Sequence, residues 1–303
     1  MALNDIPFDA FYVWLESKLM PENELKKRHF PRAHPWVLGT ALVYNVPHKH
    51  FRSIRVNGQR RCCLCYKVYK VDSSGYQLGS VQCLYHPYKR PPPDKYYVCC
   101  GKPSTAEPCL KRNFHVTADV DVNNLTNFLV SNHCLNKERA IYSIDCEFVH
   151  TQCGQELASI SIVDQNEKIV LNTFVRPDNP IVDYLPHFSN LKPENFTGTS
   201  KCVTTIECRK MILNVLGPEV IIIGHGLQED FLRMGVVHDK VVDTSFMFSH
   251  PDGEDFCYSL KTLKEKYLKH DYFPSTNNSK ALMDCIVAMR IVRLIYKGQI
   301  RLT

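Results

Sequence analysis

Half of the cysteines in this chain stand close together, between positions 62 and 109, and this cluster constrains the fold more than any other feature. The chain has 14 cysteines in 303 residues. Within the cluster, Cys62-x₂-Cys65 and Cys83-x₂-His86 have the spacing of zinc ligands. A closed zinc site folds a segment that is too small to form its own core. The cluster therefore predicts a small zinc-stabilised module.

Eight side chains in this region could hold two structural zinc ions, each with three sulfurs and one imidazole nitrogen. They are Cys62, Cys65, Cys83, His86, Cys99, Cys100, Cys109 and His115. Consecutive and interleaved pairings are both compatible with this order, and the sequence does not decide between them. The alternative is a set of free, buried thiols. We predict a zinc-binding module over residues 51–120.

A basic segment overlaps the start of this module. From Lys49 to Lys70 the chain has seven Lys/Arg and no Asp/Glu, with Phe51, Tyr66 and Tyr69 interleaved. Cations for phosphates and rings for bases suit single-stranded nucleic acid, and a solvated basic face is the alternative. The predicted nucleic-acid-binding residues are Arg52, Arg55, Arg60, Arg61, Lys67 and Lys70.

The net charge of +6 is unevenly distributed. Residues 1–139 carry 20 Lys/Arg and 11 Asp/Glu, which gives +9, and residues 140–303 carry 17 and 20, which gives −3. This favours one half that binds a polyanion and another that processes it, unless the surface charge is simply uneven. No stretch approaches the ~18 apolar residues of a membrane span, and the first residues do not resemble a signal peptide. We expect a nuclear protein in a reducing compartment, leave a cytoplasmic location open, and leave protein partners unspecified.

From Ala140 onward the sequence pattern changes. Three short apolar strands, AIYSIDCEF, LASISIVD and KIVLNTFV, precede alternating helices and strands. This order predicts an α/β domain over residues 140–303, with a mixed sheet flanked by helices. Upstream, helical spacing of apolar residues predicts an N-terminal helical region at 1–50, broken at Pro21, and a short linking helix at 121–131.

Four acidic residues occupy positions near the ends of these elements. Asp145 and Glu147 end the first strand two positions apart, so their side chains point to the same face. Asp230 follows a buried strand, and Asp284 lies in the last helix. Hard oxygen donors in such places suit two Mg²⁺ or Mn²⁺ ions that flank a scissile phosphate. The alternative is that these acids are solvated or cap helices.

Several ordered motifs resemble the DEDD exonucleases, in particular the RNA exonuclease 1 type. The family's first two motifs are similar to IDCEFVHTQCGQELASISIVD and IIIGHGLQEDFLRM, and its third is similar to the residues that start at Asp284. KVVDTSFMF, NTFVRPDNPIVDY and FTGTS also resemble that family. The likeness covers 140–303 and extends upstream into FPRAHP and the Cys/His cluster. The cluster itself, in YHPYKRPPPDKYYVCC and PCLKRNFH, is similar to the cysteine- and histidine-rich domain called CHORD.

The resemblance implies an RNase H-like fold with a mixed five-stranded sheet, and 3′→5′ hydrolysis of single-stranded RNA 3′ ends with two Mg²⁺ or Mn²⁺ ions. It implies these catalytic, metal-binding carboxylates: Asp145, Glu147, Asp230 and Asp284. Asp243 and Thr244 would support the site, and His225 would pack beside it.

The chain departs from the family motif at the general base. The family has a histidine five residues before the last Asp, and this chain has Ser279 there. A serine hydroxyl is too weak an acid–base group to replace imidazole near neutral pH. The tyrosine variant is absent too, because its usual position is Lys280, and His270 could serve only from across a loop. An attenuated exoribonuclease and a catalytically inactive RNA-binding or scaffold relative therefore both remain open, with a DNA-directed exonuclease as a third possibility.

Overall fold

The computed structural model describes residues 6–45, 58–87, 95–118, 125–197, 202–253, 256–273 and 279–302. It begins with two helices, α1 (Phe8–Glu16) and α2 (Glu22–Lys27), and the predicted break at Pro21 lies between them. Leu15 of α1 is fully buried, as are its neighbours on the same helical face. These side chains pack against the strands and the last helix of the C-terminal half, so α1 is part of that core.

The module that contains the Cys/His cluster is built from short hairpins. The strands up to its end are β1 (Arg32–Ala33), β2 (Ala41–Leu42), β3 (Gln59–Arg61), β4 (Val68–Lys70), β5 (Cys83–Tyr85) and β6 (Leu110–Arg112). β3 pairs with β4, and β5 pairs with β6, both antiparallel. Few apolar side chains are buried there, among them Val71, Tyr85 and Val116. A core this small needs further cross-links, which zinc would supply.

The predicted linking helix at 121–131 is wrong for the residues described, 125–131. These contain β7 (Leu129–Val130), which is followed by a short 3₁₀ turn at Ser131–His133. β7 pairs in parallel with Val236–Val237. Leu125 and Phe128 are buried against residues of the C-terminal half, and this packing overrides local helical spacing.

The central sheet has seven strands. They are β8 (Ala140–Thr151), β9 (Gln155–Asp164), β10 (Ile169–Arg176), β11 (Ile181–Asp183), β12 (Cys202–Thr204), β13 (Val220–Gly224) and β15 (Val241–Asp243). The strand that pairs with β7, β14 (Val236–Val237), lies outside this sheet. The order is β12-β10-β9-β8-β13-β15, with β11 beside the end of β8. β9 is antiparallel to its two neighbours, β8 and β10, whereas β8, β13 and β15 are parallel. The predicted mixed sheet is confirmed, and two short strands, β11 and β12, extend the expected five.

Helices cover both faces of the sheet. The helices of this half are α3 (Pro186–Ser189), α4 (Thr205–Val215), α5 (Leu227–Met234), α6 (Leu260–Tyr267) and α7 (Lys280–Tyr296). Along β13, Val220 and Ile222 join the core under α4 and α5, and Ile221 and Ile223 join the core under α1 and α7. Burial on both faces explains why β13 is a continuous apolar run. No helix in the described ranges is both long and apolar enough to cross a membrane.

Candidate active site

Three of the four predicted carboxylates come together between β8 and α7. Asp145 and Glu147 share a face of β8, and Asp284 lies one turn into α7, which packs on that face. Carboxylate oxygens of the three residues lie within 4.8 Å of one another. Side chains of a strand point alternately to its two faces, so Asp145 and Glu147 share a face with Ile141. Ile141 packs on the α7 side, and the two acids therefore lie on that side as well.

Asp230 lies on α5 and is buried, but among the described residues it is not part of that three-residue group. The position of Asp230 is fixed by Asp243, the last residue of β15. Asp243 accepts hydrogen bonds from Gly226 N (2.9 Å) and Leu227 N (2.8 Å), at the start of α5. Asp243 therefore orients the helix that carries Asp230. Beside it, His225 Nδ1 lies 2.9 Å from Thr244 Oγ1, which donates to Gly224 O.

The carboxylates are held in an environment that disfavours their charge. Burial raises the pKa of Asp145 well above its ordinary value, and the charges of Asp230 and Asp284 raise it further. Burial raises the pKa of Asp230 as well, and the negative charge of Asp243 raises it further. Burial also raises the pKa of Glu147, although Lys280 opposes the shift. Like charges forced together in a buried place are stabilised by a cation.

The donor set fits a hard divalent cation. Three carboxylates converge, and Asp145 Oδ2 is buried without a hydrogen-bond partner in the described part of the chain. Such orphaned buried oxygens are rare in folded proteins. Carboxylate oxygens are the ligands that Mg²⁺ and Mn²⁺ prefer.

Lys280 also reaches this group. Its Nζ lies 2.7 Å from Glu147 Oε1 and 2.7 Å from Asp284 Oδ2. Burial lowers the pKa of Lys280, but the charges of Asp284, Asp145 and Glu147 outweigh burial and raise it. In the sequence, Lys280 stood out only as the position of the missing tyrosine. Its spacing of four residues from Asp284 on a helix was the signal that could have revealed this contact.

Ser279, which stands where the resemblance to the DEDD exonucleases implies a histidine, has a structural role. It is the N-cap of α7, and its Oγ accepts from Leu282 N at 3.3 Å. The same hydroxyl donates to Asn172 Oδ1 of β10 at 3.3 Å. His270, the other candidate base, is exposed beyond the end of α6.

The Cys/His ligands form two groups, and their pairing is interleaved. The groups are Cys62, Cys65, Cys83, His115 and His86, Cys99, Cys100, Cys109. In the first group Cys65 Sγ lies 3.3 Å from His115 Nδ1, and in the second Cys99 Sγ lies 3.4 Å from His86 Nδ1. A hydrogen bond from the Cys83 thiol lowers the pKa of Cys62 to about 4. Each group has the three sulfurs and one nitrogen of a structural zinc site.

Antiparallel pairing of β5 with β6 explains the interleaving. Cys83 is opposite Arg112, and Tyr85 is opposite Leu110. Cys109 therefore lies next to His86, beyond one end of the hairpin. His115 follows β6 and lies beyond the other end of the hairpin, on the side of Cys83.

This module contacts the C-terminal half near the far end of β8. Arg112 Nη2 lies 2.8 Å from Asp183 Oδ2, and Tyr76 donates to Asn179 Oδ1 at 2.9 Å. The buried imidazole of His150 lies 3.7 Å from Cys63 Sγ. The two parts are therefore joined through polar side chains as well as through the chain.

The basic segment lies only partly within the described residues, since Arg52, Arg55 and Phe51 fall outside them. The cations within them lie on the β3–β4 hairpin and its turn, where Arg61, Lys67 and Lys70 are exposed and Arg60 is half-buried. Tyr66 is exposed too. Tyr69, expected as a ring for bases, is instead buried and stacks on His115 at 5.2 Å.

The chain is similar in sequence to several proteins named as exonucleases. Human RNA exonuclease 1 homolog is 30% identical over 303 positions, covering 96% of this chain and 24% of that protein. Human putative exonuclease GOR is 29% identical over 296 positions, covering 93% of this chain and 42% of that protein. RNA exonuclease 1 of Saccharomyces cerevisiae is 38% identical over 128 positions, covering 42% of this chain and 23% of that protein. The chain thus spans less than half the length of each.

Among solved structures, the Pan2 catalytic unit of Neurospora crassa has a TM-score of 0.46 and 23% identity, covering 56% of this chain and 30% of that one. The Saccharomyces cerevisiae Pan2 module in complex with A7 RNA has a TM-score of 0.45 and 21% identity, covering 54% and 29%. No family model matches the chain.

The fold is a mixed α/β sheet with a carboxylate group, a candidate metal site, between its central strand and its last helix. The chain is a homologue of the proteins named RNA exonuclease 1 homolog and exonuclease GOR.

Proposed function

We propose that this chain removes nucleotides from the 3′ end of single-stranded RNA by metal-dependent hydrolysis. The observation that carries the proposal is the convergence of Asp145, Glu147 and Asp284. Glu147 is buried, the other two are half-buried, and Asp145 Oδ2 has no hydrogen-bond partner within the described residues. The names of the relatives support RNA as the substrate. The 3′→5′ direction and a nuclear location are further predictions.

The carboxylates would hold Mg²⁺ or Mn²⁺ against the scissile phosphate. Such ions lower the pKa of bound water and stabilise charge on the phosphate and leaving oxygen. Asp145, Glu147 and Asp284 supply converging oxygens for this purpose. Asp230 adds negative charge nearby and is fixed in place through Asp243.

Catalysis without the family's histidine should be slow. Ser279 caps α7 and bonds to Asn172, so its hydroxyl is already engaged and cannot act as a base near neutral pH. A general base typically contributes ~10²–10⁴-fold to the rate. We therefore expect weak activity that increases at higher pH, where hydroxide needs less activation.

The zinc module would bind the RNA backbone. Arg61, Lys67 and Lys70 are exposed cations on one small hairpin, with the exposed ring of Tyr66 in its turn. Cations and an exposed ring suit single-stranded RNA.

A catalytically inactive RNA-binding relative is the second candidate. The observation that favours it is Lys280, whose ammonium already contacts Glu147 and Asp284. The two candidates agree on RNA binding and differ on cleavage.

The experiment that separates them uses zinc-loaded protein and labelled single-stranded RNA, with and without Mn²⁺. The enzyme candidate predicts slow, Mn²⁺-dependent shortening that Asp145→Asn abolishes. The binding candidate predicts an intact RNA that is nevertheless retained by the protein. Omitting Mn²⁺ is a better control than EDTA, because a chelator would also remove structural zinc.

A further inference from the structure

We propose that Lys280 is an internal cation that replaces one of the two divalent ions, so that the carboxylate group binds a single Mg²⁺ or Mn²⁺. The inference rests on the proposed function in one respect, which is that these carboxylates bind metal. It adds that the chain has its own positive charge at a position where a two-metal site would need an ion.

The ammonium of Lys280 occupies the place that a second ion would need. Lys280 Nζ lies 2.7 Å from one oxygen of Glu147 and 2.7 Å from one oxygen of Asp284. A divalent ion held between Glu147 and Asp284 would need oxygens of these two side chains as ligands, at about 2.0–2.1 Å for Mg²⁺. The ammonium and such an ion cannot occupy the same space, and their like charges repel each other.

Lys280 is also held in this position by its surroundings. It begins α7, and it is paired with Asp284 of the next turn in the i,i+4 arrangement. Ser279, the preceding residue, fixes the start of that helix through Leu282 N and Asn172. The ammonium therefore bridges a strand and a helix that are both part of the core.

A donor for one metal remains beside Lys280. Asp145 is the member of the group that Lys280 does not contact by hydrogen bond, and its buried Oδ2 has no partner in the described ranges. The residues thus divide into a pair of carboxylates bridged by Lys280, whose single positive charge offsets one of their two negative charges, and an unsatisfied carboxylate that can bind an ion.

The test is Mn²⁺ binding to zinc-loaded protein, measured by calorimetry and by the electron paramagnetic resonance signal of free Mn²⁺. We expect one ion for the wild type and two for Lys280→Met, which keeps an unbranched side chain, one atom shorter, without its charge. Lys280→Arg keeps the charge and should bind one. Affinity in Lys280→Met should increase about tenfold or more, because a neighbouring positive charge is removed.

The matched control is Lys261→Met. Lys261 forms an exposed i,i+4 pair with Glu265 on α6, and its replacement should leave Mn²⁺ binding unchanged. Lys280→Gln is the second variant if Lys280→Met does not fold. Equal binding by the wild type and Lys280→Met, at two ions each, would overturn the inference and leave the proposed function standing. Absence of Mn²⁺ binding in both proteins would overturn the inference and the metal-dependent function together.

Discussion

Ser279 and Asn172 connect the start of α7 to β10, through a hydrogen bond of 3.3 Å from the serine hydroxyl to the amide oxygen. Ser279 also caps α7, five residues before Asp284. The position at which the resemblance implies a histidine is therefore used here to anchor the helix that carries a candidate metal ligand.

Ser279→His should restore a base and weaken this anchor. We expect RNA shortening to be accelerated by about 10²-fold at neutral pH, and the free energy of unfolding to fall by about 1 kcal/mol because the cap is removed. Ser279→Ala is the matched control, since it removes the cap without adding imidazole. Single-turnover rates for both variants provide the check, and equal rates would show that the missing base does not limit the reaction.

Asp145→Asn should stabilise the protein when zinc is present and Mg²⁺ and Mn²⁺ are absent. The pKa of Asp145 is raised by burial, so its charged form opposes folding, and this penalty increases as pH rises above the unfolded value of 3.8. We expect a gain of about 1–3 kcal/mol at pH 8 that shrinks as pH falls and Asp145 binds a proton. Thermal unfolding across pH measures this difference.

Glu265→Gln, on the exposed face of α6, is the control for that experiment and should change stability little at any pH. Mn²⁺ should raise the Tm of the wild type and not that of Asp145→Asn, because only the former keeps the unsatisfied oxygen. A constant difference between the two proteins across pH would contradict the assignment of the raised pKa.

The interleaved zinc pairing predicts an unusual pattern in double variants. Cys62→Ser with His115→Ala damages one site, so the protein should retain one zinc ion per chain. Cys62→Ser with His86→Ala damages both sites, so it should retain none. Metal analysis of the folded proteins measures the zinc content of both double variants. If the ligands were paired consecutively, Cys62→Ser with His86→Ala would retain one zinc ion and Cys62→Ser with His115→Ala would retain none.

Reversal of charge on the β3–β4 hairpin should weaken RNA binding. Arg61 is exposed, whereas Arg60 Nη1 donates back to Gln59 O, so Arg61→Glu should cost more affinity than Arg60→Glu. For each phosphate that the protein no longer neutralises, the slope of log affinity against log salt should become shallower by about 0.7. Fluorescence anisotropy without Mn²⁺ measures both quantities. Lys261→Glu, on α6, is the control, and an effect of equal size there would indicate unspecific charge attraction.

Much of the C-terminal half could be predicted from the sequence because its signals are local and strong. β13 is a continuous apolar run, and apolar residues of α7, among them Ala281, Cys285 and Ala288, recur at helical spacing and are buried. The separation of two positions between Asp145 and Glu147 in a strand also predicts that their side chains share a face. The helix predicted at 121–131 is wrong for the described residues because Leu125 and Phe128 pack against residues distant in the sequence, which local periodicity does not register.

The zinc pairing could not be predicted, because the order of the ligands suits both arrangements. The register of β5 with β6 decides it, and that register depends on long-range pairing of Cys83 with Arg112. The prediction that Tyr69 offers its ring to bases is wrong for a similar reason, because its packing against His115 forms only in the folded site. The contact of Lys280 with Asp284 was accessible from helical spacing alone, but its contact with Glu147 required the packing of α7 on β8.

The central claim is metal-dependent removal of nucleotides from an RNA 3′ end. The most direct measurement follows one single-stranded RNA, labelled at the 5′ end in one reaction and at the 3′ end in another, with zinc-loaded protein and Mn²⁺. We predict a ladder of 5′-labelled products that shorten stepwise, immediate release of 3′-labelled mononucleotide, and neither product with Asp284→Asn. Intact RNA with both the wild type and Ser279→His, or 3′-labelled fragments longer than one nucleotide, would contradict it.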